Sequence, residues 1–143
     1  MIDYTNIADL IPHTGQMIFL DRVISFDPSS LSAELVVRDD CLLGDSKTVP
    51  SWTGIEYMAQ AIAAYAGIQS KQAGEPIKLG FLLGTRRYLT NISCFNVGTR
   101  LTITVTKIIQ DDKLSVFDCK IYGEDIEISA NLNVYQPSTD TLL

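Results

Sequence analysis

The 143-residue sequence contains one histidine, three cysteines and one tryptophan. A lone histidine, His13, excludes a multi-histidine metal site within one chain, and no Cys or Asp spacing substitutes for it, so no metal is expected. Cys41, Cys94 and Cys119 show no C-x-x-C spacing. An odd, unpatterned set suits a reducing cytoplasm, and all three read as packing residues. Positive charge is also scarce: 11 Lys and Arg against 17 Asp and Glu leave a net charge of −6. That balance disfavours nonspecific binding to nucleic-acid phosphates. There is no G-x-G-x-x-G and no P-loop. The nearest pattern, Gly80-Phe81-Leu82-Leu83-Gly84, has bulky side chains where a phosphate cradle needs open backbone, and no cofactor is expected. Met1-Ile2-Asp3-Tyr4 has no basic region leading into an apolar run, so no secretory leader is read there, and the expected location is cytoplasmic.

What the sequence does have is a long stretch of apolar helix formers at residues 50–74, PSWTGIEYMAQAIAAYAGIQSKQAG. Its apolar residues form no stripe but cover every side of a helix. A soluble helix apolar all round must be covered all round. Pro50 stands before its start, and Gly74 with Pro76 stops it, so the spacing predicts a helix over 51–73. The apolar part is short for a membrane span and carries Glu56 and Gln60, which excludes that reading. These two polar residues are four apart and share one helix face. Two readings of Glu56 stand side by side. Thr53-Gly54-Ile55-Glu56 fits a capping box, and a carboxylate in an apolar helix also suits acid–base chemistry.

A chain of this length suits one domain, residues 1–143, with one core. Residues 3–11 read as a short helix or turn, with Asp3 or Thr5 as possible caps. Residues 17–26, MIFLDRVISF, read as a strand buried on much of both faces. After a turn at Asp27-Pro28-Ser29-Ser30, residues 31–38 alternate cleanly and should pair with it as a hairpin. Residues 39–50 read as an irregular loop. Four more strands are expected after the helix, at 78–89, 101–109, 113–122 and 126–135, and the tail after Pro137 should fray. The order gives an α+β fold in which a mostly antiparallel sheet wraps one long central helix. One sheet covers one side of that helix, so a second copy should pack nearby.

Three blocks now point to a family. Leu10-Ile11-Pro12-His13, Met17-Ile18-Phe19-Leu20-Asp21-Arg22-Val23 and Gly54-Ile55-Glu56-Tyr57-Met58-Ala59-Gln60 resemble the hot-dog-fold 3-hydroxyacyl-[acyl carrier protein] dehydratases, which carry a PHRYPFLLVDRV-like start and a helix reading EAMAQ. The run from Gly80 to Tyr88, GFLLGTRRY, is closer still to the dehydratase-like subfamily found with aryl-polyene pigment clusters. The sequence departs from the parent family at one position. The catalytic histidine of an HFPG loop would fall at Leu42, and residues 42–50 hold no histidine; Pro50 keeps its place and Ser51 stands for a glycine. Either activity is lost or another base serves. His13 is the one available histidine, and it is open both to a packing role in its turn and to a place in the active site.

The resemblance implies dehydration of a 3-hydroxyacyl thioester on an acyl carrier protein. His13 would act as base and Glu56, with a pKa raised by apolar surroundings, as acid. Backbone N–H groups near Ser51 or Trp52 would meet the thioester oxygen. Gln60, Phe81, Leu82 and Leu83 would contact the acyl chain. Arg86 and Arg87, with Lys47 and Lys78 as lesser candidates, would dock the acidic carrier, although a solvated strand end also explains paired arginines. Two other readings are kept: a catalytically impaired, carrier-binding subunit that pairs with a complete homologous dehydratase, and a hot-dog acyl thioesterase. The dimer is accordingly expected to be homo- or heteromeric.

Overall fold

The computed structural model describes residues 5–38, 47–77 and 80–136, the side chain of Phe81 excepted. Its elements are β1 (Arg22–Asp27), β2 (Ser30–Val36), β3 (Thr48–Pro50), α1 (Gly54–Gln72), β4 (Phe81–Thr90), β5 (Cys94–Asn96), β6 (Arg100–Asp111), β7 (Leu114–Gly123) and β8 (Ile126–Tyr135). Short 3₁₀ turns cover Ile7–Asp9, Gly15–Met17 and Ser51–Thr53. Six strands form one sheet in the order β1-β2-β6-β7-β8-β4, and β3 pairs with β5 in a small second sheet. Every described pairing is antiparallel.

Alternation decides which face of the sheet meets the helix. On β6, Leu101, Ile103 and Val105 are buried while Thr102, Thr104 and Thr106 point the other way. The neighbouring Leu31, Ala33 and Leu35 of β2 and Cys119 and Ile121 of β7 bury the same face. Helix α1 lies across β2, β6 and β7. Its own Met58, Ala61, Ala64, Tyr65 and Ile68 complete the core, and the rings of Phe26 and Phe117 flank that of Tyr65. The expected α+β arrangement is therefore present, and among the described residues no helix is long and apolar enough to cross a membrane.

Three local expectations change. Residues 17–26 do not form one strand buried on both faces. Strand β1 begins only at Arg22, at the sheet margin, where it pairs with β2 alone and is mostly exposed. The preceding stretch is held by side chains instead. Asp21 accepts the N–H of Val36 at 2.7 Å, the Arg38 guanidinium donates to the Ile18 carbonyl, and Arg22 pairs with Glu34. The Asp-Arg pair that interrupts the apolar run thus fastens this segment to β2. Next, the capping box is absent. Thr53 is already helical, because the 3₁₀ turn at Ser51–Thr53 runs straight into α1, and its hydroxyl is buried without a partner. Finally, residues 48–50 of the predicted loop form β3. Asp3, Cys41, Leu42, Lys78 and the tail after Pro137 lie outside the described residues.

Two turns follow their chemistry. Asp27 accepts the backbone N–H of Ser29 at 2.8 Å and of Ser30 at 2.9 Å, so the carboxylate closes the β1–β2 turn. Those bonds, the Ser29 N–H first among them, hold its pKa below the usual carboxylate value. Gly74 takes φ +71 at the end of α1, the left-handed conformation for which glycine is suited.

Candidate active site

Two distant segments meet at the first turns of α1. The N-terminal segment runs along the helix, with Leu10 and Ile11 buried against it, and delivers His13 to Glu56. His13 Nε2 stands 3.3 Å from Glu56 Oε1, and both side chains are about one-third exposed or less, at 26% and 35%. His13 Nδ1 is buried with no hydrogen-bond partner among the described residues. The imidazole therefore retains a nitrogen that no described residue satisfies, which is unusual for a residue that merely packs.

Gln60 positions the carboxylate. It is fully buried, and its amide is used on both sides. Oε1 accepts the Phe19 N–H at 2.9 Å, while Nε2 donates to the Met17 carbonyl at 2.5 Å and to Glu56 Oε1 at 3.2 Å. Both described contacts of Glu56, from His13 and from Gln60, fall on Oε1, which leaves Oε2 as the oxygen open to a ligand. Replacing Gln60 with leucine would strand the buried Phe19 N–H, an expected loss of about 1–3 kcal/mol, and would free the Glu56 carboxylate to rotate. Thermal melts beside turnover check this: the expected result is a lowered Tm and a kcat reduced by less than in Glu56 substitutions. An unchanged Tm would show that Gln60 holds nothing in place.

A cavity of about 240 Å³ opens beside this pair. It follows the helix stripe Ala59, Ala63 and Ala66, whose small side chains leave room, and is closed on the far side by Leu82, Phe117 and Val134. Glu56 to Gln69 spans roughly 20 Å along the helix at 1.5 Å per residue, and both residues line the cavity. Its end near Gln69 is not apolar: Tyr65, Lys107, Ser115 and Gln136 line it too. The sequence reading missed these residues. A signal was available, because Lys107 follows Leu101, Ile103 and Val105 at the inward-facing parity of β6, where an apolar residue belongs.

The other expected site residues are dispersed. Leu82 lines the cavity, whereas Leu83 is 59% exposed and does not. Phe81 belongs to β4, and its side chain lies outside the described residues. Trp52 is 56% exposed, away from the cavity lining. The Ser51 N–H, expected to meet a substrate oxygen, already donates to the Ser93 carbonyl at 3.1 Å. The Ser51 carbonyl accepts the Tyr88 hydroxyl, whose pKa burial pushes up to about 12. Arg86 and Arg87 are exposed on β4, Arg87 at φ +54 inside a break in the β4–β8 register. Among the described residues no cluster of metal-binding side chains occurs.

With this geometry in place, comparison with known proteins adds the following. The family of ApeP-like proteins, described as ApeP dehydratase, matches residues 5–143. No curated protein matches the sequence. Among solved structures, the dehydratase heterocomplex ApeI:P from Xenorhabdus doucetiae is 31% identical, with a TM-score of 0.87 over 98% of this chain and 96% of that one. An uncharacterized protein from Pyrococcus horikoshii, PH1136, gives 16% identity and a TM-score of 0.65 over 94% of this chain and 96% of its own. A hypothetical thioesterase from Streptococcus pneumoniae, solved with coenzyme A, gives 12% and 0.58 over 82% and 85%. The last two likenesses show the shared hot-dog fold alone.

Proposed function

From the premise that this chain belongs to the ApeP-like dehydratase family, we propose that it removes water from a 3-hydroxyacyl thioester carried on an acyl carrier protein. The product is the trans-2-enoyl thioester, as an intermediate of fatty-acid, polyene or polyketide synthesis. The observation that carries the reading is the His13–Glu56 contact at 3.3 Å on the wall of an acyl-sized cavity. His13 takes the proton from C2, beside the thioester carbonyl. The C–H electrons form the C2–C3 double bond, and the C3–O bond breaks as Glu56 protonates the departing hydroxyl. After water leaves, the imidazole holds the C2 proton and the carboxylate has lost its own. Their direct contact provides a short path for resetting both groups.

Arg86 and Arg87 suit docking of an acidic carrier protein, as exposed cations on a chain of net charge −6. A second reading has support of its own. The 31%-identical relative is described as part of a dehydratase heterocomplex, and β4 is one of the two outer strands of this sheet, with Leu83 and Leu89 exposed. Pairing with a homologous dehydratase would cover that edge. A cytoplasmic setting fits Cys94 and Cys119, both free thiols.

The test is turnover of a 3-hydroxyacyl carrier-protein thioester, read by intact mass, with the chain alone and with a homologous dehydratase added. Loss of one water by the chain alone supports an independent enzyme. Activity only in the mixture, and only with His13 and Glu56 intact, supports a contributing subunit. Activity in the mixture that survives loss of both residues sinks the mechanism. Release of free acid would make the chain a thioesterase.

A further inference from the structure

Strand β4 carries an irregularity that reaches the reacting pair. Arg86 and Leu89 pair with Asn131 and Ser129, three positions apart on β4 but two apart on β8. Two residues, Arg87 and Tyr88, therefore share the place opposite the buried Ala130. Such a bulge changes which side chain turns inward. Regular alternation after Arg86 would turn Arg87 toward the core. With one residue added, Arg87 stays exposed and Tyr88 packs against the core instead. The backbone is strained at this point. Arg87 takes φ +54, whereas the other described non-glycine residues with positive φ, Asp112 and Asp125, sit in hairpin turns. An arginine in the left-handed region within a strand persists where its surroundings fix it, and such strain gathers at functional positions.

What the bulge delivers is a hydroxyl at the start of α1. Tyr88 donates to the Ser51 carbonyl, which also accepts the Gly54 N–H in the turn that leads into the helix. The Ser51 N–H is held from the other side by the Ser93 carbonyl. Gly54 lies against the tip of the ring: a Cβ there would stand 2.3 Å from the Tyr88 hydroxyl oxygen and 3.1 Å from Ile121 Cδ1. Glu56 projects from this same first turn of α1, two residues further on. Tyr88 does not line the cavity, so its reach is to the helix start. Burial pushes its pKa up to about 12, which keeps the hydroxyl protonated, and a donor, at neutral pH.

We propose that Tyr88 is a positioning residue for the dehydration: its hydroxyl, acting through the Ser51 carbonyl, fixes the first turn of α1 so that Glu56 stays in contact with His13. The inference rests on Glu56 and His13 being the reacting pair of the proposed function. Gln60 holds the carboxylate from one turn further along α1, and Tyr88 holds the backbone turn that carries it.

The experiment compares the natural chain with Tyr88→Phe, Glu56→Gln and the two combined, with the homologous dehydratase present if turnover requires it. Tyr122→Phe, at an exposed tyrosine on the other face of the sheet, is the control and should match the natural chain. Tyr88→Phe removes one oxygen and strands no acceptor, because the Gly54 N–H still serves the Ser51 carbonyl. It is expected to lower Tm by about 3–5 °C and kcat by about tenfold, with KM nearly unchanged. In the Glu56→Gln background it should lower kcat no further. Gly54→Ala, whose Cβ displaces the hydroxyl, should reproduce the kcat loss of Tyr88→Phe. Combined with Tyr88→Phe it should add little, since the ring carbon Cζ stands 3.4 Å from that Cβ. His13 is the single imidazole of the chain, so its ring ¹⁵N signals report the contact with Glu56 without turnover. Tyr88→Phe should move them part of the way to their position in Glu56→Gln. A lowered Tm with kcat unchanged well below it would overturn the inference, and so would an equal loss of kcat in the Glu56→Gln background or an unmoved His13 signal. Movement of that signal in a protein that removes no water, alone or in the mixture, would uphold the positioning and sink the dehydratase reading instead.

Discussion

Glu56→Gln is expected to lower kcat for water loss by roughly 10²–10⁴-fold, the range for removing a positioned general acid. The substitution is close to isosteric, so it separates chemistry from packing. Gln60 can still donate to the new amide oxygen in place of Glu56 Oε1, and Tm should hardly move. The amide has no proton of carboxylic acidity to give to the leaving hydroxyl. His13→Ala should cost a similar factor, because no other imidazole exists in the chain. The two losses should not add, because each residue acts through the other across their 3.3 Å contact. Single-turnover measurements on the two variants and their double mutant check this. A full additive loss would mean that the residues work in separate steps. Loss with Glu56→Gln alone would reduce His13 to a packing residue.

Gly67→Ala is expected to destabilise the protein and also to slow it. On helix propensity alone the change should stabilise by up to about 1 kcal/mol. Packing reverses the sign. A Cβ built on Gly67 would overlap the Leu10 carbonyl oxygen and come within 2.8 Å of its carbonyl carbon, and these are backbone atoms that cannot rotate aside. Forcing the two segments apart should cost about 1–3 kcal/mol or more beyond the propensity gain. For a chain of this size that corresponds to a Tm lower by roughly 5 °C. The displaced segment carries His13, three residues beyond Leu10, and a misplacement of about 1 Å at a reacting group can cost roughly 10²-fold in rate. Gly84→Ala is the control, because nothing lies within 4 Å of its built Cβ, and it should stay within about 0.5 kcal/mol of the natural chain. Thermal melts and kcat for both variants decide the matter. A Gly67→Ala protein as stable and active as the natural one would show that the N-terminal segment does not rest on α1.

The sequence by itself determined the elements with one dominant period. The all-round apolar run within 51–73 became α1, and the alternation Leu101, Ile103, Val105 became the buried face of β6, because burial is set by pattern when a face is wholly apolar. It also pointed to the family, through local blocks around His13, Asp21-Arg22 and Glu56. Tertiary structure decided the rest. Asp21 and Arg22 looked like interruptions of a buried strand, and only the position of β1 at the sheet margin makes them fastenings to β2. Thr53 and Glu56 had capping spacing, yet a preceding 3₁₀ turn made Thr53 helical and left its hydroxyl unable to cap. Lys107 and Ser115 are too far from Glu56 in sequence to be connected with it by spacing. They come to one cavity because antiparallel register carries three inward-facing rows to the same end of the sheet. The proximity of His13 and Glu56 is of the same kind: 43 positions separate them, and no local preference encodes it. A glycine at 67, small enough for the Leu10 carbonyl to lie against the helix, places the histidine beside the carboxylate.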